Sequence, residues 1–450
     1  MRVSFVQPCI GRRPGERYLR SWQMEPLQLA VLAALTPRGV EVVLHDDRME
    51  EIPYDAPTDL VAISVETYTA RRAYQIASAY RRRGVPVVMG GFHAMLQPDE
   101  VARYADSAVV GEAEVLWPRV VDDWRHGRGE RVYRSTSRPA LRGVRPDRTL
   151  YRGRRYLPIG LVESGRGCPY HCEFCAVQSA YGQSRTTRPV DEVVADVAAA
   201  WAERPLVFLV DDNVTADLSG ARELLDGLAT VRAPSISQCS IHAALDEDLV
   251  ARMARSGCQG VLIGLETTDP EVLRAMGKTF NGGDRVARAL ANLRRHRIAV
   301  YGTFVAGYEQ DGPDAFAPSL ALARESGMFL AAFAHLTPFP GTPLHDRLAR
   351  EGRLLFDRWW LDPGYRFGQV AYRPARMSPE TLRGACLDAR RAFYSWRSTA
   401  ARLLAPGNRA TLRRAAGYLF ANVLHHDEIS LRDGHPLGDA AAPPELLEVQ

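Results

Sequence analysis

Short apolar runs, each followed by a longer stretch with helical spacing, recur from the first residues to about position 110. Strands are predicted at residues 3–7, 40–45, 60–64, 85–89 and 108–110. Between the first two, Leu27, Ala30, Val31, Ala34 and Leu35 share one helical face, and Pro26 suits the opening turn. A second helix is predicted over 69–83. Short apolar strands joined by helical crossovers make a doubly wound parallel sheet covered on both faces, so the chain reads as α/β. Ligands of such sheets lie beyond the carboxyl ends of the strands. Here those ends carry Asp46, Asp47, Ser64, Gly90, Gly91, Gly111 and Glu112. The pair Gly90-Gly91 lets backbone approach a bulky ligand closely, although glycines also end strands for purely conformational reasons.

A second repeat follows. Strands predicted at 159–163, 206–210, 235–239, 261–264, 300–305 and 331–336 alternate with helical segments such as 190–200 and 246–256. Six such units predict an open, partial (β/α)6 barrel with its functional residues on the loops at the strands' carboxyl ends. Residues 119–157 are rich in Arg, Gly and Pro and show little periodicity. Beyond Gly352 come an aromatic stretch with Trp359, Trp360 and Tyr365, then helical runs at 379–396 and 410–424. The three aromatics suit either a substrate pocket or an aromatic core. The tail after Asp427, rich in Pro, Gly and Ala, is predicted to be mobile. The expected division is a sheet domain over 1–125, a linker over 126–157, a barrel over 158–345 and a mainly helical extension over 346–450.

Composition adds constraints. The balance of 46% apolar and 24% charged residues is that of a folded protein, and 450 residues suffice for more than one core. A net charge of +4 is small for this length, and Arg81-Arg82-Arg83 reads as a solvated helix end, so no nucleic-acid partner is expected. The opening residues lead directly into a strand, which predicts no signal peptide, and no apolar run reaches transmembrane length. Seven cysteines, three of them packed together, argue for a reducing compartment and a cytoplasmic protein.

Those three cysteines carry the chemistry. Cys168, Cys172 and Cys175 lie in Gly165-Arg166-Gly167-Cys168-Pro169-Tyr170-His171-Cys172-Glu173-Phe174-Cys175, directly after the first barrel strand. Three thiolates suit a soft metal. A structural zinc needs a fourth ligand, and no second cysteine pair follows at zinc-ribbon spacing. A 4Fe-4S cluster with one open iron fits better, with a closed zinc or simple electron-transfer site as the alternative.

The CxxxCxxC spacing and its setting resemble the radical S-adenosylmethionine (radical SAM) superfamily. The resemblance implies the radical SAM core fold, a SAM molecule chelated to the open iron, and release of a 5′-deoxyadenosyl radical. Phe174 resembles the family's usual aromatic between the last two cysteines, which packs on adenine. Asp211-Asp212-Asn213 stands where the family often has a GGE-like motif; Asp212 and Asn213 are then candidates for the SAM amine, with helix capping as the rival role. Gln238 and Ser240, at the third strand's end, could reach the methionyl carboxylate or the substrate. Glu266, in Gly264-Leu265-Glu266-Thr267, is the candidate for a ribose hydroxyl, and if buried it needs a ligand or a basic partner. Gly302 and Thr303 resemble the fifth-strand segment that runs beside adenine. Pro338 belongs to the sixth-strand exit Leu336-Thr337-Pro338-Phe339-Pro340-Gly341-Thr342-Pro343, typical of members with an N-terminal cobalamin-type domain.

The first domain itself resembles the Rossmann-like cobalamin-binding domains of such enzymes through residues 57–64, 84–93 and 109–114. Ser64, Gly90, Gly91, Gly111 and Glu112 are the candidate corrin contacts. The loop from Pro8 onwards has no histidine of the DxHxxG type, which leaves the cobalt's lower face to another residue or to water, and Glu66 replaces the leucine of the SxL pattern. The function implied is cobalamin-dependent methylation of an unactivated carbon in a small metabolite, supported by an external one-electron reductant such as flavodoxin or ferredoxin. The alternative is a non-methylating radical reaction (dehydration, cyclisation, epimerisation or dehydrogenation) with a vestigial first domain. For that case Cys239 is the candidate thiol that returns a hydrogen atom, and a packed core side chain is its ordinary alternative.

Overall fold

The computed structural model describes residues 1–447 other than 14, 16, 17, 136, 279, 280 and 283. Two compact units emerge, both discontinuous in sequence. The first takes Met1–Leu157, Phe356–Gly368 and Arg432–Gln450; the second takes Pro158–Leu355 and Gln369–Leu431.

The first unit is built on β1 (Arg2–Gln7), β2 (Glu41–Asp46), β3 (Leu60–Ser64), β4 (Val87–Gly90), β5 (Ser107–Val110) and β6 (Val132–Arg134). All pair in parallel in the order β2-β1-β3-β4-β5-β6. The order reverses between β1 and β3, which makes the carboxyl ends of those strands the topological switch point of the sheet. Strand β6 falls inside the segment expected as linker: three residues among arginines and glycines give no periodic signal. The helix Ala70–Arg81 is buried along almost its whole length, with Ala70, Ala73 and Ala77 beside Tyr74 and Tyr80. Small residues between the large ones let it lie close to the sheet.

As far as Leu447 the tail is ordered, contrary to expectation. Gly438–Asp439 pairs in parallel with Gly11–Arg12, and Asp439 exchanges two hydrogen bonds with the Gln75 amide at 2.7 and 3.1 Å. A side chain at Gly11 would come within 1.9 Å of the Pro436 carbonyl, so glycine is what permits this close approach. The aromatic alternative resolves as core. Trp359 and Tyr365 are fully buried, and Trp359 packs 4.9 Å from Tyr68 and 5.1 Å from Tyr365.

The second unit carries β7 (Ile159–Val162), β8 (Leu206–Leu209), β9 (Ser235–Gln238), β10 (Cys258–Glu266), β11 (Ala299–Ala306) and β12 (Leu330–His335). They form one parallel sheet in consecutive order, so β7 and β12 are its two edges. Period-two alternation assigns the faces. Gly302, Phe304 and Phe333 point into the helical layer, where Phe304 stacks on Phe333 at 5.3 Å and Phe393 closes the cluster at 5.9 Å. Phe208, Gln238, Leu262, Thr303 and Ala332 alternate onto the opposite, half-exposed inner face. The segment after Gly368 protects the β12 edge. Arg390 donates to the Phe333 carbonyl at 2.8 Å and Tyr394 to that of Ala331 at 2.9 Å.

Candidate functional site

The cysteine loop begins where β7 ends and is held at both flanks. Gly165–Arg166 pairs antiparallel with Thr186–Thr187. At Gly167 (φ +89°) a side chain would meet the Ser184 carbonyl at 2.0 Å, and its N–H donates to Asp212 Oδ2 at 2.8 Å. Ser164 donates through backbone and hydroxyl to the two oxygens of Asp211, both at 2.6 Å, and burial pushes that carboxyl up to about 6. At the far flank Glu173 pairs with Arg347 at 2.9 Å, Arg347 with Glu309 at 2.7 Å, and Glu309 with Arg353 at 2.9 Å. The loop is thereby tied to the helix Pro343–Arg350.

Cys168, Cys172 and Cys175 are free thiols and half-buried, with the Cys175 N–H closing a turn on the Cys172 carbonyl at 3.0 Å. Burial raises the Cys172 thiol to about 11 despite the pull of Lys278. Among the described residues no three His, Cys, Asp or Glu side chains converge on a point where one ion could sit. Three half-buried thiols with no fourth cysteine in the loop are the donor set of a 4Fe-4S cubane that keeps one iron open. His171, the nearest candidate for a fourth ligand, is exposed.

Glu266 has the basic partner its burial requires, and it is Lys278. The ammonium lies 2.5 Å from Glu266 Oε1 and 5.7 Å from the centre of the Phe174 ring. Burial opposes its charge, but Glu266 and the Cys172 and Cys175 sulfurs outweigh it and hold the ammonium above the usual lysine range. Glu266 itself sits at φ +66°, a left-handed conformation costly for a residue with a side chain. Sequence reasoning missed Lys278, yet a signal was there: it is the only lysine in a chain whose other basic residues are all arginine or histidine.

Several expected contacts are reassigned. Asp212 holds the Gly167 N–H, and Asn213 Oδ1 accepts from the backbone and hydroxyl of Thr215 at 3.0 and 2.9 Å, the capping-type role. Ser240 caps the helix Ile241–Leu245. Gly302 makes room for Met328, whose sulfur would lie 2.6 Å from a side chain there, because its position faces the helical layer rather than the inner face. Pro338 is buried, while Gln238 and Thr303 stay on the half-exposed inner face.

Cys239 is also corrected. Strand alternation turns it away from Gln238 and Ser240 into the apolar core, in the same cluster as Leu225 and Ile241, and burial pushes its thiol far up. Cys239→Ala is expected to leave SAM cleavage within about twofold and to cost about 1 kcal/mol in thermal unfolding. Retained 5′-deoxyadenosine with lost product would return it to the hydrogen-donor role.

In the first unit, Gln28 Nε2 donates to Gln7 Oε1 at 2.8 Å and to Ser64 Oγ at 3.4 Å, placing three polar side chains at the switch point. Gly91 (φ +104°) is required by its own chain, since a side chain would come within 2.9 Å of Val65 backbone; Gly111 (φ +114°) likewise faces the Ser135 carbonyl at 2.4 Å. Gly90 lies against Val109. Glu112 is buried and paired with Arg138 at 2.6 Å. His93 is engaged at both ring nitrogens, by Thr67 at 3.1 Å and Glu100 at 3.0 Å, so it is no substitute for the missing metal-binding histidine. Glu66 is reached by solvent but crowded by protein, which raises its carboxyl against the pull of Arg48.

The model of the Radical SAM superfamily matches residues 162–315. The chain is 27% identical over 380 residues to the bacteriochlorophyllide d C-12(1)-methyltransferase of Chlorobaculum tepidum, covering 82% of each. It is 25% identical to the hopanoid C-2 methylase of Rhodopseudomonas palustris, over 74% of this chain and 66% of that one. Its fold is similar to that of the radical S-adenosylmethionine methyltransferase TsrM from Kitasatospora setae, solved with cobalamin and a 4Fe-4S cluster bound. The TM-score is 0.64 at 19% identity, over 95% of this chain and 98% of the other.

Proposed function

Because the chain belongs to the radical SAM superfamily, in the branch with an N-terminal cobalamin-binding-type domain, we propose that it methylates an unactivated carbon of a small-molecule metabolite. The observation that carries this reading is the anchored loop of three half-buried free thiols at the carboxyl end of β7, in a unit whose sheet opens a half-exposed inner face. Methyl transfer is favoured by the activities named for the relatives above. When bound, a 4Fe-4S cluster with SAM supplies a 5′-deoxyadenosyl radical, and a corrin supplies the methyl group.

The residues divide the work. Cys168, Cys172 and Cys175 would hold the cluster as thiolates. Phe174 offers a flat face to adenine, and Lys278, above that ring, is placed to neutralise a carboxylate. Glu266 keeps Lys278 oriented. Gln238 and Thr303 present polar atoms on the inner face, where a substrate is to be held and water excluded. Gln7, Gln28 and Ser64 offer amide and hydroxyl groups to corrin side chains at the switch point. The enzyme is proposed to work in the cytoplasm, with a flavodoxin- or ferredoxin-type reductant. Half-exposed free thiols in the cluster loop favour such a reducing compartment.

The test is isotopic. Protein produced with cobalamin present is expected to retain a stoichiometric corrin with a base-off spectrum. SAM deuterated on its methyl group is expected to pass that label to the product. Label that stays in methionine while the substrate changes oxidation level, hydration or stereochemistry would overturn methyl transfer and favour a non-methylating radical reaction.

A further inference from the structure

The last helical layer of the second unit carries a surface that the reaction does not use. Between Asp388 and Asp427 the sequence has seven arginines and no acidic residue. The helices Trp396–Leu403 and Leu412–Arg432 lie in or begin within that stretch. The second of them is amphipathic the wrong way round for a protein in water. Its inward side carries Tyr418 and Asn422: Tyr418 donates to the Thr399 carbonyl at 2.8 Å, and Asn422 bridges Arg402 and the Phe329 carbonyl at 3.0 and 3.1 Å. Leu412, Ala416, Leu419, Phe420 and Val423 recur at helical spacing along one stripe, which ends at Asp427. Leu412 is 92% exposed and Phe420 53%; Leu404 and Trp396, on the preceding helix and turn, are 62% and 57% exposed. Arg397, Arg409 and Arg413 are exposed on the same two helices and the turn between them, Arg413 with one guanidinium nitrogen donating to the Pro205 carbonyl at 2.8 Å.

Projecting Leu, Phe and Trp interleaved with arginine, without a carboxylate between them, is the chemistry of an anionic lipid interface. Apolar tips enter the acyl boundary while the guanidinium groups remain at the phosphates. A second copy of the chain fits poorly, since a symmetric pairing sets these arginines against each other. A nucleic acid fits poorly as well, because phosphate contacts use the cations and leave exposed leucines in water. Among the described residues no helix is long and apolar enough to cross a membrane, so the mode is lying on the surface. We propose that the face formed by Trp396, Leu404, Leu412, Leu419 and Phe420 with Arg397, Arg409 and Arg413 docks the protein on anionic membrane surfaces. This holds whatever reaction the barrel performs.

The test is co-sedimentation of the full-length, cluster-loaded protein with phosphatidylcholine vesicles, with and without phosphatidylglycerol. Binding is expected only with the anionic lipid, and is expected to weaken at high salt. Leu412→Glu with Phe420→Glu should lower the partition at least about tenfold, and Arg409→Glu and Arg413→Glu about fivefold for each arginine lost. SAM cleavage and the unfolding midpoint are expected to stay unchanged in both variants, which separates docking from folding. No sedimentation with anionic vesicles, equal binding to neutral ones, or undiminished binding by either variant would overturn the proposal. So would a dimer that the Glu variants dissociate, or retention on RNA in place of vesicles.

Discussion

Cys172→Ala abolishes iron loading and 5′-deoxyadenosine formation together, by at least about a thousandfold for the cleavage rate. The reason lies in what the fold leaves available. The other four cysteines, Cys9, Cys239, Cys258 and Cys386, are all buried, so no mobile thiol can take the missing place. His171 is exposed and leaves one of the irons without a sulfur ligand even if it swings in. The loop itself survives the change, because the hydrogen bonds that anchor it run from Ser164 to Asp211, from Gly167 to Asp212 and from Arg347 to Glu173. Unchanged circular dichroism with absent iron and absent 5′-deoxyadenosine is therefore the expected combination, read on anaerobically reconstituted protein. A variant that keeps both iron and cleavage would remove the three-cysteine site from the reaction.

The second large effect is expected at Lys278. Lys278→Met leaves the Glu266 carboxylate buried without its partner, and losing one member of a buried pair costs about 3–5 kcal/mol. The barrel should melt earlier and SAM cleavage should fall. Adding Glu266→Gln removes the stranded charge, so the double variant is expected to recover most of the stability. Its SAM affinity should stay low, because the cation over Phe174 is still missing. If the double variant recovers affinity as well as stability, the pair is a packing device and Lys278 has no part in binding. Arginine at 278 is not an equivalent, since its planar fork is larger than the compact ammonium that fits between Glu266 and the ring.

The hydrophobic pattern carried most of the architecture. All six barrel strands and five of the six strands of the first sheet lie where alternating and continuous apolar runs predict them. The sixth, Val132–Arg134, is too short for periodicity to register, and it is held by pairing with β5 rather than by its own preference. The tail was misjudged because its composition is that of a mobile segment, whereas its order comes from Gly11, more than 420 positions earlier in the chain. The cysteine loop was legible because three chemically unusual residues stand in eight. The strand-end residues were less so. Asp212, Asn213, Glu112 and Gly302 have side chains or spaces that the protein consumes internally, and only the partners, Gly167, Thr215, Arg138 and Met328, reveal it. Phase along a strand was the other missing quantity: Gln238 and Cys239 are neighbours in sequence and face opposite sides of the sheet.

The interleaving of the two units bears on how the protein is made. The sheet at the amino terminus is complete in its strands by residue 134, but Trp359, Trp360 and Tyr365 arrive only with the segment Phe356–Gly368, and the strand partner of Gly11–Arg12 only at Gly438. At about 5–20 residues per second, a ribosome needs roughly 15–55 s to go from Leu157 to Arg432. The docking site of Trp359 stays unfilled until Phe356–Gly368 has been made, and the amino-terminal loop stays unpaired until Gly438 follows. Completion of the first unit thus comes after the cysteine loop and every barrel strand have emerged.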